Sequence, residues 1–145
     1  MANYRALVEL RKEGFFPGSC DRREGPFTKD LFGFGDIMAY DPTHLRRPRL
    51  VNACLADIQP HIRKYLEGGE GFGPNEHLVH LVIWWDLYIY SFVKRTMRNK
   101  EGKLLEKKIW FCRKWKAIQS PTGVISFEKE TEASQRDAGE NGATG

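Results

Sequence analysis

A carboxylate among apolar neighbours calls for a chemical reason, and Asp36 is one. It follows Phe32-Gly33-Phe34-Gly35 and precedes Ile37-Met38-Ala39-Tyr40. Burying it is costly unless it is paired, hydrogen-bonded or bound to a metal ion. The bland alternative is a turn aspartate in a glycine-rich corner. Positive charge is the second chemical feature. Between Lys94 and Lys116 ten basic residues (Lys94, Arg95, Arg98, Lys100, Lys103, Lys107, Lys108, Arg113, Lys114 and Lys116) stand against two acids, Glu101 and Glu106. With Trp110 and Trp115 interleaved, this is the composition of a phosphate-facing surface, or of an ordinary solvated hairpin. His77 and His80 would share a metal only on a helix; on a strand, positions three apart face opposite sides.

The whole chain limits these readings. Its 145 residues, 41% hydrophobic and 12% aromatic, suit one globular domain with a single core. A formal net charge of +4 leans towards polyanionic partners. Cys20, Cys54 and Cys112 are odd in number, widely spaced and form no Cys-x-x-Cys pair. They argue against a disulfide framework or zinc knuckle and for a reducing compartment, so the expected location is cytoplasmic. No apolar run reaches membrane-spanning length, and no membrane partner is expected.

The elements that must position these groups follow from periodicity and breakers. Asn3, Tyr4, Leu7 and Val8 predict a helix to about Glu13, stopped by Gly14. Phe15 and Phe16 predict an edge strand broken by Pro17 and Gly18, then a polar connection from Cys20 to Lys29 carrying Arg22 and Arg23. Lys29 to Tyr40 reads as one strand with Asp36 directed inwards. Arg49 to Leu55 reads as a central strand, with Asn52 and Cys54 on one face. Asp57 to Glu67 predicts a helix with Pro60 in its first turn, and a mobile glycine-rich excursion runs from Glu70 to Glu76. His77 to Trp84 and Leu87 to Lys94 both read as strands, joined by a turn at Trp85-Asp86. A hairpin tip at Asn99 to Gly102 leads to a last strand from Lys107 to Ile118. A short edge element is expected within Pro121 to Phe127, and 128–145 reads as a polar, disordered tail. The sum is an α/β (α+β) fold: a central mixed β-sheet flanked by helices, one domain over 1–127.

This order of parts resembles the core of the restriction-endonuclease-like, PD-(D/E)XK superfamily, and within it the small Holliday-junction-resolvase-like proteins of phages and archaea. The segment Gly35-Asp36-Ile37-Met38-Ala39 is similar to the family's Pro-Asp-Ile-Ile-Ala, and Lys29 to Asp36 is similar to a signature of small phage members. Arg63 and Lys64 match basic residues of the next helix. The resemblance implies metal-assisted phosphodiester hydrolysis with Mg²⁺ or Mn²⁺ at Asp36. It also implies that the two functional positions of (D/E)-x-K fall on Asn52 and Cys54, where neither the acid nor the lysine is present. The substitutes it suggests are Asp57 for the acid and Lys64 or Arg63 for the cation. Glu9 or Glu13 of the first helix would be a further metal ligand, and Asp21 and Asp30 weaker ones. The implied partner is branched or duplex DNA, held by Arg22, Arg23, Lys29, Arg63, Lys64 and the Lys94 to Lys116 hairpin, including Lys94, Arg95, Lys107, Arg113 and Lys114. A homodimer would suit a symmetric junction. The alternative is a catalytically inactive nuclease-fold protein that engages a phage or host protein.

Overall fold

The computed structural model describes residues 2–24, 27–55, 57–69, 71 and 73–135. Helix α1 (Ala2–Lys12) opens the chain, with Arg11 and Lys12 in its last turn, where they suit the negative end of the helix dipole. Gly14, at φ 91°, ends it in a backbone conformation that costs a glycine little. Strand β1 (Phe16–Ser19) follows and pairs antiparallel with β4 (Ile37–Tyr40), Phe16 opposite Tyr40 and Gly18 opposite Met38. Pro17 does not break β1, because β1 is the outermost strand and its missing N–H removes no ladder bond to a further neighbour.

Two expectations about the next segment are corrected. The polar connection after Cys20 contains an antiparallel ribbon, β2 (Arg22–Glu24) with β3 (Phe27–Lys29). Lys29 to Tyr40 is not one strand, since only Ile37–Tyr40 is extended. Phe32 (φ 54°) and Gly33 (φ 67°) take the left-handed backbone and fold the chain into a turn closed by a Leu31–Gly35 bridge. Asp36 stands just after this turn.

β5 (Arg49–Leu55) runs antiparallel to β4 and parallel to β6 (Asp86–Arg98). Parallel neighbours need a crossover. Here α2 (Gln59–Glu67, with Pro60 in its first turn) and α3 (Leu78–Trp84) supply it. The β-formers Val79, Val82 and Ile83 predict a strand over 77–84, and the structure corrects this to a helix. Leu78 and Leu81, three apart, are both buried while Val79, Ile83 and Trp84 are exposed, which is helical rather than alternating burial. β6 turns at Asn99–Gly102 into β7 (Leu104–Gln119), and β8 (Ile125–Ser134) forms the far edge. Strand therefore continues to Ser134, into the segment expected to be a tail. Residues 136–145 of that tail lie outside the described residues, as do Glu70 and Phe72 of the expected excursion.

The six-stranded mixed sheet has the order β1-β4-β5-β6-β7-β8. Alternation gives it two buried faces. On one, α1 packs through Ala6 and Leu10 against Ile37, Val51, Tyr88, Tyr90 and Cys112. On the other, α2 and α3 pack through Ile58, Tyr65, Leu78 and Leu81 against Leu50, Cys54, Leu87 and Ile89. Helices on both faces of a mixed sheet make this an α+β fold. No helix among the described residues is long and apolar enough to cross a membrane.

Candidate functional site

The turn from Leu31 to Gly35 delivers Asp36 to the α2 face of the sheet. Gly35 is needed for that delivery, because a Cβ there would overlap the Leu50 side chain. The Asp36 backbone is clamped on both sides. Its N–H donates to Val51 O at 2.9 Å, and its carbonyl accepts from Cys20 N at 2.8 Å. The turn is held from outside by the α2–α3 connection, where Asn75 Nδ2 donates to Phe32 O at 3.1 Å and Asn75 N donates to Tyr65 O at 2.9 Å.

The carboxylate itself is buried, 8% exposed. Asp36 Oδ2 accepts from Ala53 N at 2.9 Å and from Asn52 Nδ2 at 3.4 Å. The same Asn52 nitrogen donates to Phe34 O at 2.9 Å and approaches Asp30 Oδ2 at 3.4 Å. Asn52 Nδ2 thus lies 3.4 Å from an oxygen of each of the two carboxyl groups, which brings Asp30 close enough to disfavour the ionised form of Asp36. Burial, then the neighbouring Asp30 carboxyl, pushes Asp36 up to about 8, against the opposing N–H of Ala53. Asn52 Oδ1 is buried without a hydrogen-bond partner. Tyr65 closes the site from α2, its ring 5.0 Å from Phe34, and burial raises its hydroxyl well above the ordinary value.

Cys54 lies on the same face, next to Ser91 of β6, and Arg113 Nη2 donates to Ser91 Oγ at 3.1 Å. Burial pushes the Cys54 thiol up to about 11, so it is a neutral thiol at pH 7 and no stand-in for a lysine. Lys64 and Arg63 are exposed on α2; Lys64 Nζ lies 5.9 Å from the Tyr65 ring and has no bond to either carboxylate. Asp57 is exposed, and its Oδ1 accepts from Gln59 N at 3.1 Å at the start of α2.

Glu9 and Glu13 are not part of this site, because α1 packs on the opposite face of the sheet. There Lys114 Nζ bonds Glu9 at 2.9 Å and Glu13 at 3.3 Å, while Arg49 pairs with Glu13. Tyr90 donates to Glu13 at 2.7 Å. Burial raises the Glu13 carboxyl, but Arg49 and Lys114 outweigh it and hold it below the ordinary value. Lys114 is thereby corrected as a DNA-facing residue, since it is 6% exposed and held by two glutamates. Lys94 and Arg95 are exposed, 5.6 Å from the Trp110 ring and 5.0 Å from the Phe111 ring. The side chains of Arg22, Arg23, Lys29 and Lys107 lie outside the described ones.

Comparison with family models, curated proteins and solved structures finds no match. The chemistry of the site thus rests on its own geometry. Asp30 gains most from the structure. Its signal in the sequence is the Gly33-x-Gly35 spacing, which lets a five-residue turn return one acid onto another. Tyr65 gave no such signal, being indistinguishable from the apolar stripe of its helix. Among the described residues no group of three or more His, Cys, Asp or Glu side chains could hold a metal ion. Asn52 turns its amide nitrogen towards the two carboxylates.

Proposed function

We propose that the protein binds DNA on a nuclease-like scaffold and hydrolyses phosphodiesters with a Mg²⁺ or Mn²⁺ ion held by Asp36, Asp30 and Asn52. The observation that carries this reading is the convergence of Asp30 and Asp36 on Asn52, whose Nδ2 lies 3.4 Å from an oxygen of each and whose Oδ1 is buried and unpartnered. These are hard oxygen donors, the kind Mg²⁺ prefers, and a divalent cation would relieve the repulsion between the two acids. Such a cation, when bound, polarises a phosphate oxygen and lowers the pKa of water. The chain's own part is orientation. The Ala53 N–H and the Asn52 amide fix Asp36, the Leu31–Gly35 turn fixes Asp30, and Tyr65 keeps one side of the site dry. The chain order of helix, antiparallel strands, crossover and parallel strand supports the resemblance to the restriction-endonuclease-like core.

One observation favours a second reading. The Asn52 Nδ2 atom sits among Asp30, Asp36 and Phe34 O, where it already neutralises their lone pairs. In that case the site is structural, and the protein is an inactive relative that engages DNA or another protein. Calorimetric titration with Mn²⁺ at pH 8, beside Asp36→Asn, separates the two. Binding by the unaltered protein that the variant lacks supports the metal reading, and no heat from either sinks it. Incubation with branched and linear DNA in Mg²⁺ then tests hydrolysis, with loss of product expected for Asp36→Ala. DNA binding has its own check. Affinity should fall steeply with added salt, and Lys94→Ala with Arg95→Ala should flatten the log–log slope by about 1 for each phosphate that these side chains neutralise.

A further inference from the structure

Strands β6 and β7 outrun the sheet that holds them. β6 leaves β5 after the Leu55–Phe92 pair, and β8 meets β7 no further along than Phe111 opposite Ser134. From Lys94 to Ile109 the two strands pair only with each other among the described residues, as an arm that runs roughly 17 Å before its turn. Seven residues of this arm are basic and two acidic, a net +5 in a chain whose total is +4. The remainder of the molecule is slightly negative, so the arm holds the protein's attraction for polyanions. Its tip is braced: Asn99 Oδ1 accepts from Glu101 N at 3.0 Å and Lys103 N at 2.9 Å, and Arg98 Nη1 donates to Gly102 O at 2.7 Å. The cations point several ways. Lys94 and Lys108 share one face of the ribbon through the pairs Lys94–Trp110 and Thr96–Lys108, Arg95 lies on the other face with Ile109, and Lys100 and Lys103 stand at the tip. The side chains of Lys100, Lys103 and Lys108 are exposed and make no ion pair among the described residues. The arm also springs from the end of the sheet where the acids lie. Asn52 is level with Ile89 across the β5–β6 pair, and Arg98 stands roughly 30 Å further along β6.

We infer that this arm enters the major groove of duplex DNA about one helical turn from the Asp30–Asp36 site, an inference that rests on the DNA-binding reading above. The major groove of B-form DNA, about 12 Å wide, admits a two-stranded ribbon. Within it phosphates stand on both sides, which suits a ribbon with cations on both faces and at its tip; a flat surface would use one face alone. The reach matches as well, since one turn of B-form DNA rises about 34 Å. Other nucleic acids fit less well. The major groove of A-form RNA is too narrow for side chains to read, and a single strand has no groove. The substrate class is therefore B-form duplex that extends about ten base pairs to one side of the site.

Fluorescence anisotropy in EDTA at one low salt concentration tests this with a DNA duplex of about two helical turns, an RNA duplex of the same sequence and an oligothymidylate. Dimethyl sulfate footprinting reports the groove, because it methylates guanine N7 in the major groove and adenine N3 in the minor. The unaltered protein should bind the DNA duplex about tenfold or more tighter than the other two probes, and shield guanine N7 but not adenine N3. Lys100→Ser/Lys103→Ser changes two exposed side chains, so it should fold, and circular dichroism checks that it does. It should weaken duplex binding about fivefold or more and uncover the shielded N7 atoms. If the double variant leaves the N7 protection in place, if adenine N3 is shielded instead, or if the RNA duplex or the single strand binds as tightly, the inference falls and the DNA-binding reading stands. If the unaltered protein binds neither DNA probe, both fall.

Discussion

Burial of the Asp36 carboxyl beside Asp30 makes stability depend on pH in an unusual direction for an acid. Below about pH 4 the folded and unfolded chains both hold the Asp36 proton, and it contributes nothing. Between the ordinary value and about 8, the unfolded chain ionises while the folded one does not. The folded state loses stability across that window, and the loss levels off above it. Asp36→Asn, whose amide can still accept from Ala53 N and donate to Asp30, should therefore raise Tm at pH 8 and leave it little changed at pH 4. Thermal melts at the two pH values check this. Equal shifts at both would mean that Asp36 does not keep its proton in the folded state at pH 8. At this scale the sequence was legible where alternation decides the outcome: Asn52 and Cys54 do share a face, and Asn52 lies against Asp36. The resemblance misled at Glu9 and Glu13, because periodicity says that a helix has a buried stripe but not which face of the sheet the stripe will cover.

At the scale of elements, the turn before β4 depends on one close approach. Gly35→Ala would drive a Cβ into Leu50, and overpacking of this kind costs about 1–3 kcal/mol. The expected outcome is a lower urea midpoint, with the Gly35→Ala/Leu50→Ala double variant losing less than the sum of the two single changes. Additive losses would place the strain elsewhere. The loop after β4 responds to acid. Hydrogen bonds from Thr43, and then from Arg46, hold the Asp41 carboxyl well below its ordinary value. Its contribution is present above about pH 4 and lost as pH falls, and Asp41→Asn should remove that acid sensitivity. Element types were readable from strong periodicity, as in α1, β5 and α2. They failed where β-branched residues fill a short amphipathic helix, as in α3. They also failed where polar residues alternate along an edge strand that needs only one covered face, as in β8.

For the whole molecule, the sheet is a partition with different electrostatics on its two sides. The side facing α2 and α3 holds two acids, Asp30 and Asp36, against the amide nitrogen of Asn52. The α1 side holds Glu9, Glu13, Lys114 and Arg49 in opposite-charge contacts. Lys114→Ala leaves Glu9 buried without its cation and should cost about 3–5 kcal/mol, whereas the Glu9→Gln/Lys114→Met pair should cost far less. Chemical denaturation of both variants measures the difference, and equal losses would mean that the charges themselves, rather than their mismatch, hold α1 to the sheet. The layered architecture was legible in the alternation of helix and strand patterns. The partition was not, since Lys114 lies 105 residues from Glu9 and nothing local marks it as a partner. One longer link remains. Arg5 Nη1 donates to Gln135 Oε1, and Gln135 Nε2 donates back to Arg5 O, across 130 residues. The ribosome makes α1 first and Gln135 long afterwards, so during synthesis the opening helix waits, its apolar stripe uncovered, for strands that have yet to leave the exit tunnel. Ribosome-bound chains halted before β7 should therefore lose α1 to proteases that spare it in the released protein.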